Sequence, residues 1–210
     1  MKILVIGGTG GTGRELIRQG LEQGQEVTVL ARKPSRVKAE HPRLKVLKGN
    51  VLHVSALEEA LGGQEAVLCA LGHKRFILPT STLSRGTQNI LDVMQRKGVN
   101  RFLCITSLGI GDSRFRLGLY YTLFTIPFIL FFYFKDKSKQ EDLIRKSGLD
   151  WTIVRPGQLT NGKKRARYRH GPGLGHYIFT RMISRADVAH FMLRELEKDR
   201  YIRSVTGITY

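Results

Sequence analysis

Seven residues near the N-terminus, Gly7-Gly8-Thr9-Gly10-Gly11-Thr12-Gly13, constrain the fold more than any other stretch of the chain. They follow Lys2-Ile3-Leu4-Val5-Ile6, a short apolar run of β-formers, and open into Arg14-Glu15-Leu16-Ile17-Arg18, which has helical periodicity. Strand, glycine turn and helix in that order are the context that gives a glycine motif its meaning. Gly7 lets the chain turn sharply off the strand, Gly10 lets the backbone approach a pyrophosphate, and Gly13 lets the helix pack closely. The helix N-terminus then presents free N–H groups and the positive end of a dipole to phosphates. This reads as a dinucleotide site; a turn with only a structural role is the alternative.

A chain of 210 residues with 41% hydrophobic content is long enough for one domain with a substantial core, residues 1–210 forming a single nucleotide-binding unit. Its net charge of +18 implies affinity for something anionic: a phosphorylated cofactor, nucleic acid or an acidic membrane surface. Cys69 and Cys104 both fall in apolar strand-like runs and form no C-x-x-C motif. Buried, reduced thiols are expected, and with them a reducing, cytoplasmic compartment. The N-terminus runs straight into the first strand, so no signal peptide is expected.

Residues 13–23 read as a helix ending at Gly24, and Glu26-Val27-Thr28-Val29-Leu30 as the second strand. Next comes Ala31-Arg32-Lys33-Pro34-Ser35-Arg36. In a dinucleotide fold, an acidic side chain about twenty residues beyond the glycines holds the ribose 2′-hydroxyl and favours NAD. Arg32 stands there instead, with Lys33 and Arg36 close behind. A guanidinium meets a phosphate through paired charge-assisted hydrogen bonds, so this end favours a 2′-phosphate and NADP(H) as cofactor. A solvated basic loop is the alternative.

Leu44-Lys45-Val46-Leu47 reads as the third strand, and Gly49-Asn50-Val51 falls near the adenine edge, where Asn50 offers both donor and acceptor. A short helix over 55–61 leads to Ala66-Val67-Leu68-Cys69-Ala70-Leu71, a fourth strand ending at Gly72, where the backbone must again come close to the cofactor. His73, Lys74 and Arg75 follow, either as phosphate contacts or as solvated side chains. Residues 79–97 form a long helix closed by Gly98, and Arg101-Phe102-Leu103-Cys104-Ile105 the fifth strand. The alternation predicts an α/β fold: a single Rossmann-type doubly wound parallel sheet with helices on both faces. Strand five ends in Thr106-Ser107-Leu108-Gly109. Open α/β sheets bind ligands at the carboxyl ends of their strands, which places Thr106 against the cofactor and aims Ser107 at the nicotinamide region. A buried, satisfied serine is the alternative.

Residues 117–134 contain no charge, yet Arg114 and Arg116 precede them and Lys135, Lys137 and Lys139 follow. The length approaches that of a spanning helix. Pro127 breaks the run, however, and a span between two parts of one sheet would tear the domain apart. An apolar cap over the substrate site, at about 113–135, is the expectation, with attachment to an anionic membrane surface second. Residues 136–146 read as helix and Asp150-Trp151-Thr152-Ile153-Val154 as strand six, from which Arg155-Pro156-Gly157-Gln158 turns off beside the cofactor. The alternation Arg165-Ala166-Arg167-Tyr168-Arg169 suits an exposed strand, so a solvated face outranks a nucleic-acid patch. Ser184 begins the last helix, with Asp187 three residues on, in the manner of a capping box.

Taken together, these stretches resemble the atypical short-chain dehydrogenase/reductase family, within its NAD(P)H-binding group, and in particular the flavin reductase/biliverdin-IXβ reductase type. The similarity is carried by the glycine turn, Val29-Leu30-Ala31-Arg32, Gly49-Asn50-Val51-Leu52, Ala70-Leu71-Gly72, Arg85-Gly86-Thr87-Gln88-Asn89-Ile90, Ile105-Thr106-Ser107 and Arg181-Met182-Ile183-Ser184. The run His190-Phe191-Met192-Leu193-Arg194 is the most specific part. The resemblance implies NADPH held by Thr9, Gly10, Gly11 and Thr12, with Arg32 and Arg36 on the 2′-phosphate. It further implies Asn50 and Val51 at adenine, Leu71 and Gly72 near ribose and phosphates, and Pro156, Gly157 and Gln158 near the carboxamide. Histidines that line the mammalian-type site fall at Glu141 and Gly157 here, and residues 117–134 have no counterpart in it.

Tyr133 and Lys137 satisfy the Y-x-x-x-K spacing of the catalytic short-chain reductases. Four residues apart on a helix they share a face, so the lysine can lower the tyrosine's pKa. Ser107, Tyr133 and Lys137 are therefore the candidate catalytic set, against the alternative that Tyr133 simply ends an apolar run. Two readings of function follow. One is an NADPH-dependent reductase passing hydride to a flavin or similar planar conjugated acceptor. The other is a non-catalytic NADP(H) sensor or membrane-surface assembly factor. Neither requires a metal.

Overall fold

Ile3, Leu4, Val5 and Ile6 have no exposed surface, because a strand covered on both faces accepts apolar side chains at every position. The computed structural model describes residues 1–73 and 76–210. In chain order its elements are β1 (Lys2–Ile6), α1 (Gly11–Glu22), β2 (Glu26–Ala31), β3 (Leu44–Lys48), α2 (Val54–Leu61), β4 (Ala66–Cys69), α3 (Thr82–Lys97) and β5 (Arg101–Ile105). After a long excursion come α4 (Phe131–Lys146), β6 (Asp150–Pro156), β7 (Gln158–Thr160), β8 (Arg169–Gly171), β9 (Met182–Ser184), α5 (Arg185–Lys198) and β10 (Ser204–Thr209).

The main sheet runs β3-β2-β1-β4-β5-β6-β10-β8, parallel throughout except that β8 runs antiparallel to β10. The strand order reverses between β1 and β4, and that reversal opens the crevice in which such sheets bind ligands. Leu16, Ile17 and Leu21 of α1 pack with Val188, Phe191 and Met192 of α5 in one core cluster. Leu57 and Leu61 of α2, Ile90 and Met94 of α3 and Ile144 of α4 build a second one around Leu4, Ile6 and Val67. Helices therefore cover both faces, and the doubly wound Rossmann-type sheet read from the sequence is the fold.

Helices α3 and α4 are tied by a buried carboxylate. Asp136 of α4 accepts from Leu83 N at 2.9 Å and Ser84 N at 3.1 Å, and from Ser84 Oγ at 2.5 Å. It supplies the cap that the N-terminus of α3 lacks locally. At α5 the serine half of the expected capping box forms, with Asp187 N donating to Ser184 Oγ at 3.0 Å, while Ser184 N donates to Tyr210 Oη at 3.2 Å rather than to the Asp187 carboxylate.

The structure corrects several boundaries. Strand four stops at Cys69 rather than Leu71, and α3 starts at Thr82 rather than 79. Helix α4 begins at Phe131, upstream of 136, so Tyr133 and Lys137 do lie on one helix. The strand expected over 165–169 is absent. Asp187 Oδ1 accepts the N–H groups of Arg165 and Ala166 at 2.9 and 2.8 Å, drawing that backbone away from any ladder, and β8 starts only at Arg169. Tyr121–Leu130 winds as a π-helix with Pro127 inside it, a rare form at this length.

Candidate active site

The glycine turn sits where β1 and β4 part. Gly7 has φ +82°, and a Cβ there would collide with the Ala70 carbonyl oxygen, so the two strand ends approach only because position 7 has no side chain. A Cβ at Gly13 would strike the Gly7 carbonyl oxygen and lie 2.7 Å from Gly8 Cα. Gly10 differs: among the described residues the only atom within 4 Å of a Cβ there is Gly7 O, at 3.3 Å, which leaves its outer side open to them. Gly10 N donates to Gly7 O at 3.0 Å, and Arg14 N to Gly10 O at 2.9 Å. The N–H groups of Gly11, Thr12 and Gly13 between them have no intrahelical acceptor. No acidic side chain occupies the first turn of α1. An open cradle of N–H groups at the positive end of a helix fits a pyrophosphate.

Arg32 follows directly on β2, and Arg36 ends a 3-10 turn, Pro34–Arg36. Both are exposed, and among the described residues neither guanidinium makes an ion pair. On the next strand end, Asn50 Oδ1 accepts from Leu52 N at 3.2 Å and Asn89 Nδ2 donates to Val51 O at 3.0 Å. Gly86 makes room for the buried Val51, since a Cβ there would come within 2.7 Å of Val51 Cγ2. Leu71 and Gly72 lie just beyond β4, after Ala70, and Tyr133 Oη lies 3.6 Å from where a Gly72 Cβ would stand. Lys74 and Arg75 lie outside the described residues. Gly157 has no room for a side chain: a Cβ would meet the Arg181 carbonyl oxygen, and Gly157 N donates to Ile208 O at 3.0 Å. Pro156 is buried and Gln158 exposed on either side of it.

The proposed catalytic set is partly assembled. Lys137, almost fully buried, donates from Nζ to the Ile105 carbonyl at 3.2 Å and sits 5.4 Å from the Tyr133 ring centroid. The two side chains do share a face, with the ammonium over the ring. Tyr133 is also held edge-on by His73 and Phe76, at 4.9 and 5.5 Å between centroids. Ser107, by contrast, donates its hydroxyl to the Leu108 carbonyl at 2.8 Å. Thr106 turns inward, donating to Glu141 Oε1 at 2.6 Å, so only its backbone can face the open strand ends.

Glu141 belongs to a buried ionic cluster. It receives Arg155 Nε at 3.0 Å and Nη2 at 2.6 Å, while Arg155 Nη1 reaches Asp112 Oδ1 at 2.6 Å. Burial works against the Arg155 charge, but its two carboxylate partners outweigh it and hold the guanidinium above its ordinary pKa. Asp112 is likewise disfavoured by partial burial, yet Arg155 holds its carboxyl below the usual range. The latch ties the start of the cap to the core.

Arg185 went unnoticed in the sequence. It is the first residue of α5, and its Cδ lies 2.5 Å from where a Gly11 Cβ would be, so its stem crosses the glycine turn. Its guanidinium is steadied by Asn161 Oδ1 at 2.7 Å and Leu159 O at 3.4 Å. The only signal was its position directly behind the Ser184 cap, at a helix start that packs beside α1.

The sequence profile of a family described as NAD(P)H-binding matches residues 7–199. The chain belongs to that NAD(P)H-binding family. An uncharacterized chloroplastic protein of Arabidopsis thaliana is 30% identical over 173 residues, covering 76% of this chain and 60% of that protein. Protein TIC 62, chloroplastic, of Pisum sativum is 25% identical over 215 residues, covering 90% of this chain and 39% of that protein. The chain thus spans between about two fifths and three fifths of these relatives' lengths. ChuY of Escherichia coli O157:H7, described as an anaerobilin reductase, superposes with a TM-score of 0.82 at 19% identity, covering 100% of this chain and 97% of that one. At that identity the likeness establishes the fold alone.

Proposed function

We propose that the protein is an NADPH-dependent reductase that passes hydride to a flavin or a similar planar conjugated acceptor. The observation that carries the reading is the open cradle at Gly10–Thr12 with Arg32 and Arg36 exposed at its ribose end. In it, the N–H groups of Gly11, Thr12 and Gly13 take the pyrophosphate, Arg185 adds a cation across the turn, and Arg32 and Arg36 take the 2′-phosphate. Asn50 and Val51 border adenine, the backbone at Leu71, Gly72 and Thr106 borders ribose and phosphates, and residues 156–158 border the carboxamide. Bound NADPH supplies the hydride from its nicotinamide ring. The chain's part is then to hold donor and acceptor together, with Tyr133 placed beside Gly72 as the proton-donating hydroxyl for acceptors that need one.

A second reading, a dinucleotide sensor without turnover, draws on the hydrogen bonding at the catalytic set. Lys137 is committed to a backbone carbonyl and Ser107 to another, so the set is not joined into one proton relay. Anaerobic mixing separates the two. Oxidation of NADPH by FMN at a rate that rises with enzyme, and more slowly with NADH, supports the reductase. Tight NADPH binding with no oxidation by any flavin or conjugated carbonyl supports the sensor.

A further inference from the structure

The outer face of the cap is used by nothing described so far. No residue of Tyr121–Leu130 is buried, although every one of its side chains is uncharged. Tyr121, Ile126 and Leu130 turn inward onto Leu108, Ile110, Leu117 and Phe134. Leu123, Phe124, Phe128 and Ile129 face outward, Phe128 with 77% of its surface exposed. A helical segment that is apolar all round needs an apolar environment on every side, and the protein supplies one on a single side.

A second segment extends the same face. His176 N donates to Arg116 O at 2.9 Å, Leu119 N to Ile178 O at 3.0 Å, and Thr180 Oγ1 to Leu117 O at 3.1 Å. These bonds lay residues 176–180 alongside 116–119. Tyr177, Ile178 and Phe179, each at least 60% exposed, therefore stand beside the exposed Leu119 and Tyr120. Contiguous apolar surface of this kind marks an interaction site.

Apart from Asp112, which is paired with Arg155, the exposed charges flanking these two segments are cationic. Between Arg114 and Lys135 there is no acidic residue, and none occurs between Gly162 and Met182 either. Arg114 lies 5.6 Å from the Phe115 ring centroid and Arg116 5.8 Å from that of Tyr177, and Lys135 and Lys139 are exposed where α4 leaves the cap. Such a rim argues against a second copy of this chain as the cover, since a symmetric contact would set cations against cations. Aromatic side chains ringed by lysine and arginine match the interfacial zone of a bilayer, with rings at headgroup depth and cations at anionic lipid. Among the described residues no helix is long and apolar enough to cross a membrane, so the fitting arrangement is a face laid on the bilayer.

We propose that this face docks the protein onto an anionic lipid surface, with residues 119–131 and 177–179 sunk into the headgroup region. The proposal stands apart from the cofactor reading and is tested without cofactor, by flotation with phosphatidylglycerol/phosphatidylcholine vesicles. Wild type should float with these vesicles at low salt and detach as salt rises. Phe124→Ser/Phe128→Ser should abolish flotation while circular dichroism and NADPH affinity stay as in wild type. Arg114→Gln/Lys135→Gln should weaken vesicle affinity about thirtyfold, from the usual contribution of a surface cation near anionic lipid. Wild type that stays unfloated at low salt overturns the proposal, as does equal flotation with pure phosphatidylcholine. Concentration-dependent dimerisation lost in the double-serine variant, without vesicle binding, would assign the face to a second copy and overturn it too.

Discussion

The half of the molecule around β1, α1 and β2 and the half around β5, the cap and α4 meet at the same crevice but are built by different means. In the first half the site is made of backbone. Gly7, Gly10 and Gly13 decide its shape by having no side chains, and the helix end supplies the charge. In the second half the shape is decided by side chains that hold one another: Asp136 on α3, Glu141 on Arg155, Arg155 on Asp112, Lys137 on Ile105. A backbone site tolerates little change but is cheap to specify with a few residues of one type. A side-chain site can be rebuilt many ways on one fold, so chemistry diverges there while the cofactor end persists.

If that contrast is right, the largest effect comes from a single methyl-bearing side chain in the first half. Gly10 has φ −80° and ψ 166°, a conformation open to any residue, so Gly10→Val should fold normally. Its side chain would stand in the open side of the cradle, and NADPH affinity should fall more than about a hundredfold, some 3 kcal/mol or more. Isothermal titration beside a circular-dichroism melt checks both halves of the expectation; unchanged affinity in a folded variant would make the glycine turn structural only. The second half should answer differently, through stability. Glu141→Leu leaves Arg155 buried with only the exposed Asp112 for partner, and should cost about 3–5 kcal/mol in denaturant unfolding. Glu141→Leu/Arg155→Met removes both charges and should recover most of that loss. A double variant as unstable as the single would mean that packing, rather than the uncompensated charge, dominates.

The same contrast explains what was legible in the sequence. The turn could be read because three glycines between an apolar run and a helical period have few other uses, and Arg32 because it replaces an acid at a known distance. The sheet could be read because its strands are continuous apolar runs. Strands β7, β9 and β10 were missed: the first two are three residues each, too short for a periodic signal. Ser204–Thr209 carries a glycine where the Gly171 backbone and Leu174 press close. The partners of Thr106, Glu141 and Asp136 were beyond reach because they lie 35, 14 and about fifty residues away. No local pattern announces a side chain whose purpose is met across the fold. The π-helix was equally hidden, since its hydrogen bonding departs from the period on which sequence patterns rest.

A smaller effect tests how far the cofactor half depends on side chains at all. Arg32→Ala should remove one charge-assisted bond to the 2′-phosphate, costing about 1.5–3 kcal/mol in NADPH affinity, or about ten- to 150-fold, with NADH affinity unchanged. Titration of wild type with both nucleotides is the control. Equal wild-type affinities for NADPH and NADH would remove the 2′-phosphate assignment from Arg32 and Arg36 together.

The smallest effect separates the cap latch from the rest of the fold by pH. His170 and His190 are held neutral: partial burial first, then Arg200 and Arg194 at the one and Lys164 and Arg194 at the other, push their pKa values below the ordinary histidine value of 6.5. Each is hydrogen-bonded to a tyrosine, His170 to Tyr201 and His190 to Tyr168, both at 2.8 Å. As pH falls from 7 toward 5 the unfolded chain takes up protons first, so this contribution is complete above pH 6.5 and declines below it. Asp112 behaves as a depressed carboxylate: its pairing with Arg155 is complete above the unfolded value near 3.8 and is lost only as pH falls through the lower folded value. The melting temperature should therefore drop between pH 7 and 5 while the latch stays closed. His170→Asn/His190→Asn should flatten that drop, and Asp112→Asn should leave it unchanged, its own deficit being constant across this range. A drop that persists in the histidine variant but vanishes in Asp112→Asn would place the acid sensitivity in the cap instead.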